Sequence, residues 1–125
     1  MIVGLQQADK TLLKKASLGT LFSLIIGYRQ HLRVVGDSME KILSDGDLII
    51  YKKINPKNLD LKIGNIVVAN HPEIKNKLII KRIHGIHKNR FDLRGDNLLL
   101  STDSRSWGLI KLESIVGKVV QILHN

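Results

Sequence analysis

From residue 34 onward the chain reads as short apolar runs parted by turn signals. The stretches "GDLIIYKKI", "GNIVVAN", "KLIIKRIHGI", "RFDLRG" and "ESIVGKVVQIL" alternate with "NPKN", "HPEIKN" and "HKN", the texture of several short β-strands joined by turns. Adjacent apolar residues, as at Leu48, Ile49 and Ile50, predict strands covered on both faces. The expectation is a mostly β unit over residues 34–125, closed into a compact barrel or sandwich. Ahead of it the texture differs. Residues 16–28, "ASLGTLFSLIIGY", carry no charge and lie between Lys15 and Arg29. Leu18, Leu21, Phe22, Ile25 and Leu32 recur at helical spacing, which predicts a short helix in an N-terminal segment, 1–33. The apolar run is shorter than the roughly 20 residues that span a bilayer. It is therefore expected to pack or lie at an interface; membrane association through residues 12–33 is open but not favoured. The charges before it, and the lack of a small-x-small site after it, do not suit a cleaved signal peptide.

Composition narrows the picture. A chain of 125 residues with 43% hydrophobic content fits one folded unit with a real core. With no cysteine, disulfides, thiolate metal clusters and a cysteine nucleophile are excluded. The formal charge of +9 suggests attraction to acidic surfaces. Nucleic acid is not the expected partner, because the 20 basic residues are spread along the chain and only 4% of residues are aromatic. None of the five histidines pairs with another at metal-ligand spacing beside a carboxylate, so no metal site is expected.

Candidate chemistry starts at "VVGDSMEKIL", where Ser38 precedes Met39. A serine in a turn is ordinarily a turn-former, and it becomes a nucleophile only beside a base. In "KLIIKRIHGI" strand alternation puts Ile79, Lys81 and Ile83 on one face, with Leu78, Ile80 and Arg82 on the other. An ammonium among isoleucines is disfavoured by desolvation, which can lower a lysine pKa by about 3 to 5 units when burial is complete. The resulting neutral amine is a general base, and Ser-Lys pairs are a known variant of serine-protease logic. Locally, a lysine that buries its stem and extends its charge to water explains Lys81 as well. A Ser-His-carboxylate arrangement is also open, with His84 the nearest histidine to Lys81 and on the opposite face. In the third block, "RGDNLLLSTDSRSWGLIKLESIVGKV", residues 95–97 read as a turn and Asp103 and Arg105 as a local ion pair. There the hydroxyl of Ser101 or Ser104 could orient a nearby amine.

Taken in order, "GDSMEKIL" with "DGDLIIYKK", "IIKRIHG" and "GDNLLLSTDSRSWGLI" resemble the nucleophile, lysine and final boxes of the type I signal peptidases, over roughly residues 34–120. The resemblance implies Ser38 as nucleophile, Lys81 as base and the Ser38 backbone N–H as oxyanion donor. It also implies Ser101 as the serine bonded to the lysine amine, Asp103 and Arg105 as a structural ion pair, and no metal or other cofactor. Two positions depart from the family pattern. Gly36 stands where some members carry a hydroxyl that adds a second oxyanion donor, and Lys41 stands where proline is common. The short span from Lys81 to Gly95 leaves no room for the large extra β-domain of many bacterial members. In this the chain looks most like the nickel-type superoxide dismutase maturation proteases. That likeness implies a cytoplasmic enzyme whose partner is the nickel superoxide dismutase precursor, from which it removes an N-terminal leader. A membrane-associated signal peptidase for secretory precursors is the alternative within the same chemistry. A self-cleaving regulator of the LexA type, or a non-catalytic binding domain, stands further off.

Overall fold

The computed structural model describes residues 2–4, 29–36, 38–40, 42–97 and 101–125. Among these described residues, eight strands form one antiparallel sheet with very little helix. They are β1 (Ile2–Gly4), β2 (Arg29–Val34), β3 (Leu48–Lys53), β4 (Ile66–Asn70), β5 (Leu78–His87), β6 (Arg90–Arg94), β7 (Ile110–Lys111) and β8 (Ile115–Leu123). The order β1-β2-β3-β8-β4-β5 closes on itself where Ile2 of β1 lies opposite Leu78 of β5. This ring is a small barrel. The far half of β5 leaves it and pairs with β6, which carries β7.

The runs of adjacent apolar residues follow from two cores that lie on opposite faces of the same strands. One holds Leu32, Val34, Met39, Leu43, Ile49, Tyr51, Val68 and Ile80. The other holds Val67, Ala69, Ile79, Ile83, Phe91, Leu93, Ile110 and Ile115. Neighbouring residues therefore serve different cores, as Val67 and Val68 do on β4 and Ile79 and Ile80 on β5. Burying a side chain of this size stabilises by about 1.5–3 kcal/mol relative to leaving it exposed. A one-residue slip of β5 would turn Ile80 and Lys81 to each other's faces and cost both cores.

The mostly β architecture is as the pattern predicts, with one change at the N-terminal side. Leu32, placed in a helical stripe by its spacing, is a buried residue of β2, whose residues 29–33 pair with β3. Its core is supplied by β3 and the barrel interior, and that tertiary packing overrides a weak helical period. The apolar run 16–28, the expected short helix and most of the 12–33 segment lie outside the described residues. No helix among the described residues is long and apolar enough to cross a membrane.

Candidate active site

Between β2 and β3 the chain makes an excursion that carries Ser38. Its ends are pinned together, with the Val34 N–H donating to the Asp47 carbonyl and the Gly46 N–H to that of Val34. Inside it Met39 and Leu43 are buried in the barrel core, and the Leu43 N–H donates to the Met39 carbonyl. Met39 is thus the anchor that fixes the neighbouring Ser38, which explains the Ser-Met pair. Gly36 has φ 94°, a conformation that side-chain-bearing residues rarely adopt. The backbone itself therefore disfavours the hydroxyl-bearing residue that the family resemblance would allow at this position. The Gly36 N–H is taken by the Asp45 carboxylate at 2.9 Å.

Residues 95–97, read from sequence as a turn, act as a strap over this excursion. The Asn97 N–H donates to the Ser38 carbonyl at 2.8 Å, and the Asp96 N–H to the Met39 thioether at 3.3 Å. At Gly95 a Cβ would fall 2.1 Å from Ser101 Oγ and 2.7 Å from the Ser38 carbonyl oxygen. Only glycine lets the strap pass between them. Arg82 of β5 clamps the strap from the other side, donating to both oxygens of Asp96 at 2.9 and 2.8 Å. Arg82 and Asp96 escape a reading by local pattern because they lie 14 positions apart. The signal available was an arginine beside the candidate lysine and an aspartate in the glycine turn.

Lys81 lies on β5 between Ile79 and Ile83, on the face that strand alternation predicts, and is only 4% exposed. Its Nζ donates to Ser101 Oγ at 3.0 Å, and Ser101 Oγ donates to Asp103 Oδ2 at 3.0 Å. Because a carboxylate can only accept, the Ser101 proton is committed to Asp103, and Lys81 must be the donor to Ser101. Asp103, buried, also accepts from the Gly95 N–H at 3.0 Å and from the Arg105 guanidinium at 2.9 and 2.6 Å. It caps the short helix α1 (Ser104–Trp107) through the Arg105 N–H as well. Burial alone would raise its pKa, but these donors together hold it far below the usual carboxylate range. Ser104, the other hydroxyl considered beside the amine, instead accepts from the Leu93 N–H at 2.9 Å.

Burial pushes the Lys81 amine down from 10.5 to about 8; Asp103 opposes this, while Arg105 and Lys77 add to it. The Ser38 hydroxyl is buried and has no hydrogen-bond partner among the described residues, so it is not bonded to Lys81 Nζ. Both residues line one open cleft of about 420 Å³, with Val35, His71, Ile74, Thr102 and Trp107 among its other walls. A buried hydroxyl without a partner is uncommon and calls for an account. Catalytic hydrogen bonds are often long or unformed until substrate binds.

The structure thus brings Ser38, Lys81, Ser101, Asp103 and Arg105 into one neighbourhood. His84 is not part of it. The β5–β6 register shifts between Ile83 and Gly85, and His84 is exposed. His71, for which the sequence offers no local signal, lines the cleft instead.

A family profile described as "Signal peptidase, peptidase S26" matches residues 16–90. Among curated proteins, mitochondrial inner membrane protease subunit 1 of Xenopus tropicalis is 28% identical over 104 residues, covering 67% of this chain and 62% of that protein. The Homo sapiens protein of the same name is 27% identical over 104 residues, with 67% and 63% covered. The chain therefore spans less than two thirds of the length of these relatives. The profile match covers more than half of the 125 residues and contains both Ser38 and Lys81, and the chain belongs to the signal peptidase family, peptidase S26.

Proposed function

We propose that this protein is a serine endopeptidase of the Ser-Lys type that removes N-terminal leaders from precursor proteins. The observation that carries the reading is Lys81, buried, bonded through Ser101 to Asp103, and opening with the unpartnered Ser38 hydroxyl onto one cleft. With one N–H of its neutral amine donating a hydrogen bond to Ser101 Oγ, Lys81 keeps its lone pair for the Ser38 proton. Ser38 Oγ then attacks the scissile carbonyl carbon, and the oxyanion accepts a hydrogen bond from the Ser38 backbone N–H. The Lys81 ammonium returns its proton to the departing amine as the C–N bond breaks, which leaves an acyl-enzyme. The same amine next deprotonates a water, whose attack frees the leader with a new carboxylate and restores Ser38.

The relatives are named as inner membrane protease subunits, which favours precursors presented at a membrane over a soluble substrate. A second reading, a cytoplasmic protease for the nickel superoxide dismutase precursor, draws on one observation. β5 turns into β6 at Lys88 and Asn89, with no inserted domain. The purified protein is incubated with each precursor, with and without phospholipid vesicles, and the products are read by mass spectrometry beside Ser38→Ala. Cleavage of a leader-bearing secretory precursor that depends on Ser38 supports the membrane reading, and cleavage of the nickel enzyme precursor alone transfers the protein to the second. Cleavage of neither rejects the peptidase.

A further inference from the structure

The cleft has a wall that the proposed chemistry does not use. It is the loop 71–77 between β4 and β5, closed by the His71 N–H donating to the Lys77 carbonyl at 2.8 Å. The His71 ring latches this loop from within. Its Nδ1 accepts the backbone N–H groups of both Glu73 and Ile74, each at 3.0 Å. A ring nitrogen that accepts hydrogen bonds carries no proton, so the neutral ring bears its proton on Nε2. The ring also meets Trp107 of α1 edge-on, with centroids 4.8 Å apart. Its plane is thus fixed by the same short helix that Asp103 caps. His71 Nδ1 is turned to its own loop, and Nε2 is the polar atom left for the cleft that Gly36 and Ser38 line.

An extended peptide in that cleft brings carbonyl groups that need donors. Gly36 offers none, since its N–H is held by Asp45 and it has no side chain. Building on the peptidase reading, we propose that His71 is a substrate-positioning residue. Its Nδ1 holds the 71–77 loop as one wall of the cleft, and its Nε2–H donates to a main-chain carbonyl of the bound leader segment. A consequence in pH follows. The groups around the ring are Lys77 and Glu73 on its own loop and Lys81 on β5, while α1 presents the uncharged Trp107. Burial, Lys77 and Lys81 depress the imidazole pKa below 6.5, against Glu73. Protonation places a hydrogen on Nδ1 and breaks both loop bonds, so the wall loosens on the acid side of that value.

The test uses an internally quenched peptide with alanine one and three residues before the scissile bond. KM and kcat are measured from pH 5 to 9 for wild type, His71→Asn and His71→Gln. An asparagine oxygen can take the same local N–H groups, as Asn55 takes that of Lys57 at 3.0 Å, so His71→Asn keeps the latch but not the reach of Nε2. The proposal expects KM for His71→Asn to rise about tenfold at pH 8, the worth of one ordinary hydrogen bond, with kcat within about threefold. It also expects the acid-side rise in KM to vanish in that variant, and His71→Gln, whose amide nitrogen reaches the Nε2 position, to recover part of the loss. A His71→Asn enzyme with wild-type KM at every pH overturns the proposal and leaves His71 a loop latch. If wild type does not cleave the peptide, the peptidase reading fails separately. Fluorescence polarisation of the labelled peptide on Ser38→Ala then decides for His71. Binding weakened about tenfold by adding His71→Asn upholds it, and equal binding or none refutes it.

Discussion

Asp47 and Asp103 are two buried carboxylates in similar settings. Each sits at a turn beside the Ser38 excursion, accepts backbone N–H groups and pairs with a basic side chain. In each, burial pushes the pKa up and the donors outweigh it, so the carboxyl is held below 3.8. They differ in what lies at the other end of the network. Asp47 accepts from the N–H groups of Ser44 and Asn125 and pairs with His124, tying the end of β8 to the turn before β3. Asp103 reaches through Ser101 to the amine of Lys81. Charge, burial and pKa alone do not separate a structural carboxylate from one in a candidate site. Connection to a titratable base does.

The largest effects should fall at the amine end. Lys81→Met and Ser38→Ala are each expected to lower kcat/KM by about 10³-fold or more. Lys81→Met should do so while becoming more stable at pH 7, because a buried ammonium is replaced by an apolar chain of similar length. The sign follows from linkage. The Lys81 amine binds its proton less readily folded than unfolded, so below about pH 8 it weakens the fold, and the penalty fades as pH rises from about 8 to 10.5. Wild type should therefore gain up to about 3 kcal/mol over that window, and chemical denaturation should find the gain absent in Lys81→Met.

Next comes Asp103→Ala, which strands the Gly95 N–H and the helix cap. A loss of about 2–4 kcal/mol is expected in urea unfolding, with cleavage about 100-fold slower. Ser101→Ala should retain most of the stability and lose about tenfold in kcat, since Lys81 keeps its burial but not its orienting partner. Asp47→Asn, the counterpart without a route to Lys81, should cost about 1–2 kcal/mol and change cleavage by less than about twofold. Its stability deficit should be complete above pH 3.8 and shrink as acid protonates Asp47 in the wild type too. A large kinetic defect in Asp47→Asn would erase the contrast between the two carboxylates.

Much of this arrangement was legible one strand at a time. The runs at 48–53, 66–70, 78–87, 90–94 and 115–123 are strands because β-branched residues, flanked by turn residues, fit sheets with both faces covered. Alternation along β5 placed Lys81 among isoleucines without knowledge of the fold. β2 was hidden because "RQHLRV" is polar and short, and Leu32 fits a helical period as readily as a strand. The strap was hidden for a different reason. The hold of Asp96 on Met39 spans 57 positions, and no local pattern encodes it. The family resemblance, by contrast, named Ser101 and Asp103 beside Lys81 without any geometry. His71 lay beyond both, since its role depends on a hairpin bringing loop 71–77 against α1.

The measurement that bears most directly on the central claim is the pH dependence of kcat/KM from pH 6 to 10 on a leader-junction peptide, for wild type and Lys81→Met. If Lys81 is the base, wild-type cleavage rises with pH through a midpoint near 8, as its amine loses its proton, and Lys81→Met shows no such rise and no appreciable rate. Cleavage that is flat across that range, or that persists in Lys81→Met, would contradict the assignment of Lys81 as the base for Ser38.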